Sequence, residues 1–211
     1  MLSGELRGLH EQHDPESWNF SKYLEKPEFH LHEYLKTQWM LLYWLMRIGG
    51  SILEVGCGTG RGAILAKRLC PHKEVVATDI SEKTCKLAES YAELAGADVQ
   101  VLQADTLALP FPDRRFDVAF SVGVLEHYPD EWIVKALREQ ARVAECVIVS
   151  VPLDHYLVMF GGVGDERPIH HVHWLRLFAK AGLSLASLEL LGSPAEYHWL
   201  LAILDAGKTK E

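Results

Sequence analysis

The chain has 211 residues, enough for one well-buried domain with room for a small cap. Hydrophobic residues make up 48% and charged residues 24%, the ordinary balance of a water-soluble fold. A formal net charge of -8 argues against a polyanionic partner such as nucleic acid, because phosphate backbones are held by clustered Lys and Arg.

The first twenty residues are polar and acidic, unlike a signal peptide. The longest apolar run, Trp39 to Met46, is too short to cross a bilayer, so no membrane partner is expected. The four cysteines, Cys57, Cys70, Cys85 and Cys146, form no close pair. Such scatter suggests neither a metal knuckle nor a disulfide framework, and a reducing cytoplasmic setting is expected.

Apolar residues at 31, 34, 35, 39, 41, 42, 45 and 46 predict an amphipathic helix, with Gly49-Gly50 as its stop. Residues 1–50 read as an N-terminal helical extension. Its aromatic residues Trp18, Phe20, Tyr23 and Tyr34, with His30, could form a lid over a ligand site or simply pack.

Short β-rich runs then alternate with helical patterns. Strands are expected at 52–55, 74–78, 99–103, 117–121 and 146–151, with helices at 62–69, 82–95 and 131–143. Ser81 before Glu82 is a natural N-cap. Lys135, Arg138 and Arg142, at i, i+3 and i+7, read as a solvated helix face. The alternation predicts a parallel sheet with helices on both faces and its ligand at the carboxyl edge of the strands. A helix near 172–181 ends at Gly182. Two apolar runs, 183–191 and 197–204, then flank Gly192-Ser193-Pro194, a link short enough only for antiparallel neighbours. Residues 51–205 are thus expected to form the main domain and 206–211 a frayed tail.

The most informative stretch is Ile52-Leu53-Glu54-Val55-Gly56-Cys57-Gly58-Thr59-Gly60-Arg61-Gly62. An apolar strand ends in an acidic residue, and glycines at alternate positions lead into a helix. Backbone without Cβ can turn sharply and lie against a ligand, and the helix start offers unpaired N–H groups. A dinucleotide fingerprint wants G-x-G-x-x-G. Counting from Gly56 places Arg61 at the third glycine; counting from Gly58 places Ala63 there. Both registers fail, so a nicotinamide-dependent oxidoreductase is disfavoured.

This pattern resembles class I S-adenosylmethionine-dependent methyltransferases, most closely the small-molecule branch. Their first motif, an acid, an apolar residue and G-x-G-x-G, is matched by Glu54 through Gly60. The resemblance runs from about residue 50 to 204. It implies a Rossmann-like, doubly wound, mostly parallel α/β sheet of seven strands, the last antiparallel. It also implies S-adenosyl-L-methionine as cofactor and S-adenosyl-L-homocysteine as product.

Under that resemblance Glu54 orients the amino acid end of the cofactor over the backbone of Gly56, Cys57, Gly58 and Gly60. Asp79, closing the second strand, binds the ribose diol, a carboxylate suited to two hydroxyl donors. Ile80 packs on the adenine, and Asp105 with Thr106 reads its edge. Ser121 and Val122 line the cofactor at the end of the fourth strand, and Leu125-Glu126-His127 walls the methyl-transfer site. Asp117, at the opposite end of that strand, is expected to be structural.

Methyl transfer from a sulfonium is an in-line displacement with a neutral leaving group, so no metal is expected. A general base matters only where the acceptor loses a proton. His127 and His171 are the candidates, the latter in the cluster His170, His171 and His173 behind a glycine-rich stretch at 161–168. A metal site built from that cluster with Asp165 or Glu166 lacks clean ligand spacing. A small-molecule acceptor is expected, whereas a non-catalytic cofactor-binding subunit and a protein or nucleic-acid methyltransferase are the alternatives. The identity of the acceptor and the oligomeric state are not legible.

Overall fold

In the computed structural model, residues 22–156, 166–193 and 196–207 are described. Trp18, Phe20, the stretch 161–165 and the end of the tail lie outside them. A short helix α1 (Lys22–Glu25) precedes a long helix α2 (Pro27–Arg47). Then come β1 (Ser51–Val55), α3 (Arg61–Leu69), β2 (Glu74–Asp79), α4 (Glu82–Leu94), β3 (Gln100–Gln103) and β4 (Phe116–Val122). The chain continues through a single 3-10 turn (Leu125–His127), α5 (Asp130–Val143), β5 (Ala144–Pro152), α6 (His171–Ala181), β6 (Ser184–Ser193) and β7 (Glu196–Asp205).

The seven strands form one sheet in the order β3-β2-β1-β4-β5-β7-β6. The first five run parallel and β7 is antiparallel to both β5 and β6. The expected terminal hairpin is therefore present, and β7 inserts between β5 and β6. Strand order reverses direction between β1 and β4, where β1 sends its crossover to β2 on one side and the chain later returns on the other. That switch leaves a crevice above the carboxyl ends of β1 and β4.

Two apolar layers cover the sheet. On one face α2, α3 and α4 pack Leu41, Leu42, Leu45, Ile64 and Tyr91 against Ile52, Val118, Phe120 and Ile148. On the other, Ile133, Leu137, Trp174 and Phe178 of α5 and α6 pack against Val147, Val149 and Leu200. Each such buried aliphatic or aromatic side chain contributes about 1.5–3 kcal/mol relative to exposure.

The helix α2 is fixed at both ends. Glu28 pairs with Arg68 of α3, and Tyr91 of α4 donates to the carbonyl of Pro27 at 2.6 Å. At its other end the buried ammonium of Lys73 donates to the carbonyls of Leu45 (2.7 Å), Met46 (3.2 Å) and Ile48. A cation there satisfies the unpaired last carbonyls and complements the negative end of the helix. Between the ends, α2 kinks at Gln38 (φ -116°, ψ 21°), whose side-chain oxygen accepts from Ser150 Oγ of β5 at 3.0 Å.

Two expectations outside the site are settled here. Asp117 is structural: its carboxylate accepts from the backbone of Gly50 and Ser51 and from Ser51 Oγ, pinning the entry to β1. The basic face of α5 is not simply solvated. Arg142 donates to the carbonyls of Leu109 and Phe111 and to Asp113 and Glu139, clamping the loop before β4. Arg138 donates to the carbonyl of Lys180 at the end of α6.

Candidate functional site

The carboxyl ends of β1, β2, β3 and β4 bring the expected residues to one edge of the sheet. Val55 leads into a loop in which Gly56, Gly58 and Gly60 all have positive φ, at 70°, 54° and 72°. Alternate glycines are thus a backbone requirement, since side chains are strained in that region. The loop is held by Cys57 N donating to the carbonyl of Thr78 and Gly60 N to that of Cys57, both at 2.8 Å. Burial, with Glu54 and Asp79 nearby, pushes the Cys57 thiol well up, so it stays protonated and offers backbone rather than a nucleophile.

Asp79, buried at the end of β2, receives Gly58 N on one carboxylate oxygen (2.9 Å) and Ser81 N on the other (3.1 Å). Ser81 caps α4 by accepting from Thr84 N, as its place in the sequence implied. Ile80 is half-buried beside it, its carbonyl held by Gln103 Nε2.

One strand over, Asp105 is also buried. Its Oδ1 accepts from Leu107 N at 2.8 Å, while its Oδ2 and the Thr106 hydroxyl have no hydrogen-bond partner among the described residues. Buried polar atoms are normally paired, so these two stand out at the end of β3. Ser121 Oγ, at the end of β4, is a third such atom, and Val122 lies half-buried next to it.

Glu54 does not point into solvent. It is 3% exposed, and its Oε2 accepts from Ala63 N at 2.7 Å in the first turn of α3. Burial pushes its carboxyl up to about 8, against the hydrogen bond from Ala63 and the charge of Arg61. Its Oε1 lies at Gly62: a Cβ there would fall 2.4 Å from Glu54 Oε1 and 2.9 Å from both Phe120 Cε2 and the Tyr34 hydroxyl. The fourth glycine of the motif, to which no role was given above, makes room for this group.

The far side of the crevice is built by the segments following β4 and β5. Arg167 N donates to the carbonyl of Glu126, and its guanidinium to the carbonyl of Tyr128 and to Asp130 (2.8 Å). His173 Nε2 lies 2.7 Å from the other oxygen of Asp130. Burial pushes the Asp130 carboxyl up, but the hydrogen bonds from Arg167 and His173 outweigh it and hold the group below its usual range. His173 is thereby engaged by Asp130, and His170 caps α6 by accepting from Val172 N. His171, the first residue of α6, has its pKa lowered by burial and by His170, with Asp154 opposing. His127 closes the 3-10 turn directly after β4.

Two features escaped the sequence. Burial raises the Tyr128 phenol, with Asp105 and then Asp79 adding to the shift. No motif signals that residue. Second, among the described residues the side chains whose ligand atoms lie within 4.8 Å of one another are Glu126, His127 and Glu166. That grouping depends on the docking of residues 166–167 on 126–130, which spacing along the chain does not reveal.

A seven-stranded sheet of this order, with a glycine loop at its switch point and acids at the ends of the next two strands, has the Rossmann-like architecture of a nucleotide-binding fold. Residues 52–145 match the family described as a methyltransferase domain. The chain is 39% identical over 102 residues to 27-O-demethylrifamycin SV methyltransferase from Amycolatopsis mediterranei, covering 46% of this chain and 36% of that protein. It is likewise 39% identical over 92 residues to demethylmenaquinone methyltransferase from Thermus thermophilus, covering 44% and 41%. The chain spans less than half the length of these two relatives. Among solved structures, magnesium protoporphyrin IX methyltransferase from Synechocystis, with S-adenosylhomocysteine bound, superposes with a TM-score of 0.66 at 20% identity. That match covers 82% of each chain and shows the shared fold.

Proposed function

We propose that the chain is an S-adenosyl-L-methionine-dependent methyltransferase that transfers a methyl group to a nucleophilic atom of a small molecule. The observation that carries this reading is the pair of strand-end acids. Asp79 is tied to the glycine loop by Gly58 N, and Asp105 keeps a buried, unpaired carboxylate oxygen one strand away. That spacing suits an adenosine laid across β2 and β3, with its diol on Asp79 and its amino group on Asp105. Ile80 and Tyr128 would bound the base, and Thr106 would serve its edge.

When bound, S-adenosyl-L-methionine supplies an electrophilic methyl whose leaving group is a neutral thioether. The residues of the chain then have to hold, align and exclude water. Glu54 and the backbone of Gly56, Cys57, Gly58 and Gly60 would take the amino acid end, and Ser121 and Val122 would flank the reacting centre. Holding acceptor and methyl in line is worth about 7–11 kcal/mol of a bimolecular barrier. Where the acceptor must lose a proton, His127, at the end of the turn after β4, would take it. His171, its pKa lowered by burial and by His170, is the second candidate.

The relatives' names support a small-molecule acceptor, because one describes methylation of a rifamycin precursor and the other of demethylmenaquinone. All four cysteines are free thiols, which supports a reducing, cytoplasmic setting. No described helix is long and apolar enough to cross a membrane.

Thermal melting with a ligand panel tests the reading. S-adenosylhomocysteine at a hundredfold excess over Kd stabilises the folded chain by about 2.7 kcal/mol, and NAD leaves the midpoint unchanged. Stabilisation by NAD alone overturns it.

A further inference from the structure

The helix α2 does more than cover the sheet, because it brings one polar atom against Glu54 and the first turn of α3. Tyr34 is 9% exposed, and its hydroxyl has no hydrogen-bond partner among the described residues. The hydroxyl and Glu54 Oε1 both lie within 3 Å of the point that a Cβ on Gly62 would occupy. The guanidinium of Arg61 sits over the Tyr34 ring, 5.1 Å from its centroid, while Arg61 Nε donates to Thr59 Oγ1 at 3.1 Å. A phenol, a carboxyl, a guanidinium and the start of α3 therefore converge where the glycine loop ends.

A buried hydroxyl left unpaired is costly, and such atoms in native structures call for a ligand or a function. Packing alone does not account for it. A phenylalanine at position 34 would bury the same ring under Arg61 and leave no polar atom behind. Burial pushes the Tyr34 phenol well above its ordinary range, so it stays protonated and can only donate to an anion placed there. The anchors of α2 keep the donor in place: Glu28–Arg68 and Tyr91–Pro27 before it, Gln38–Ser150 and Lys73 after it.

We infer that Tyr34 is a cofactor-binding residue, whose hydroxyl donates to the carboxylate of the amino acid end of S-adenosylmethionine. Glu54 serves the ammonium of that same end. The inference rests on the methyltransferase reading above and extends it. Under this assignment α2 is a wall of the cofactor site, and Gly62 is glycine so that Tyr34 and Glu54 can meet the same ligand group.

The test uses the full chain, Tyr34→Phe and two ligands, measured by titration calorimetry. S-adenosylhomocysteine carries the amino acid group; 5′-methylthioadenosine keeps the adenosine and the sulfur but lacks that group. Tyr34→Phe should weaken S-adenosylhomocysteine about tenfold, the size of one hydrogen bond to a charged group, and leave methylthioadenosine unchanged. Equal loss for both ligands would mean that Tyr34 only supports the fold, and an unchanged Kd for S-adenosylhomocysteine would remove it from the site. Either pattern overturns the inference while the methyltransferase reading stands. A wild-type chain that binds neither ligand overturns both.

Discussion

Asp79 Oδ2 accepts a hydrogen bond from Gly58 N at 2.9 Å, which locks the end of β2 to the middle of the glycine loop twenty-one residues earlier. The same carboxylate therefore shapes the loop and, under the proposed reading, would take the ribose diol. Asp79→Ala removes both roles, leaving the N–H groups of Gly58 and Ser81 without their acceptor. The variant should lose about 1–3 kcal/mol of stability in urea denaturation. Its affinity for S-adenosylhomocysteine should fall by about a hundredfold or more, two charge-assisted hydrogen bonds being at stake. An unchanged melting shift with the ligand would take Asp79 out of the site.

Gly62→Ala places a methyl group 2.4 Å from Glu54 Oε1 and 2.9 Å from Phe120 and Tyr34, all on buried and tightly held groups. Overpacking of this kind costs about 1–3 kcal/mol. At Gly96 an added Cβ meets nothing within 4 Å and only the positive φ of 61° is strained, at about 1 kcal/mol. Gly62→Ala should therefore destabilise at least as much as Gly96→Ala and should alone impair ligand binding. Equal affinity of both variants for S-adenosylhomocysteine would contradict the packing argument.

Glu54 supplies a pH signature. Its carboxyl rises from an ordinary 4.5 to about 8 in the folded chain. Between those values the folded state keeps a proton that the unfolded chain has released, so the stability from this group is present in acid and lost as pH climbs towards 8. The wild type should lose stability relative to Glu54→Gln from pH 5 to pH 8 and level off above that. Chemical denaturation at four pH values reads this directly, and a flat difference would show that Glu54 is ionised throughout.

Lys73→Met should unseat the C-terminal end of α2. Three carbonyls lose a buried cationic donor, at a cost of about 2–4 kcal/mol. Hydrogen exchange should show faster opening along Leu41–Arg47 with little change in β1. Uniform acceleration through the sheet would mean instead that α2 and the sheet open as one unit.

Much of this molecule is legible along the chain because its signals are local. The strand of Ile52–Val55, the glycines at 56, 58 and 60 and the cap at Ser81 each follow from backbone chemistry within a few residues. So does the terminal hairpin, since the link between its strands is too short for any other pairing. The basic face of α5 was misread for the opposite reason. Arg142 finds its partners in the loop 109–113, about thirty residues earlier, and periodicity within one helix carries no trace of them.

The candidate site divides the same way. Glu54, Asp79 and Asp105 stand at strand ends, and the sequence by itself determined that they share one edge, because parallel strands joined by right-handed crossovers put every carboxyl end on the same side. The reason for Gly62, the place of Tyr34 beside Glu54 and the engagement of His173 by Asp130 were decided only by tertiary structure. Each depends on two elements distant in sequence, whose approach is set by how helices seat on the sheet. Side-chain packing across elements has no periodic signature in one chain, so those contacts become visible only once the apolar faces have closed.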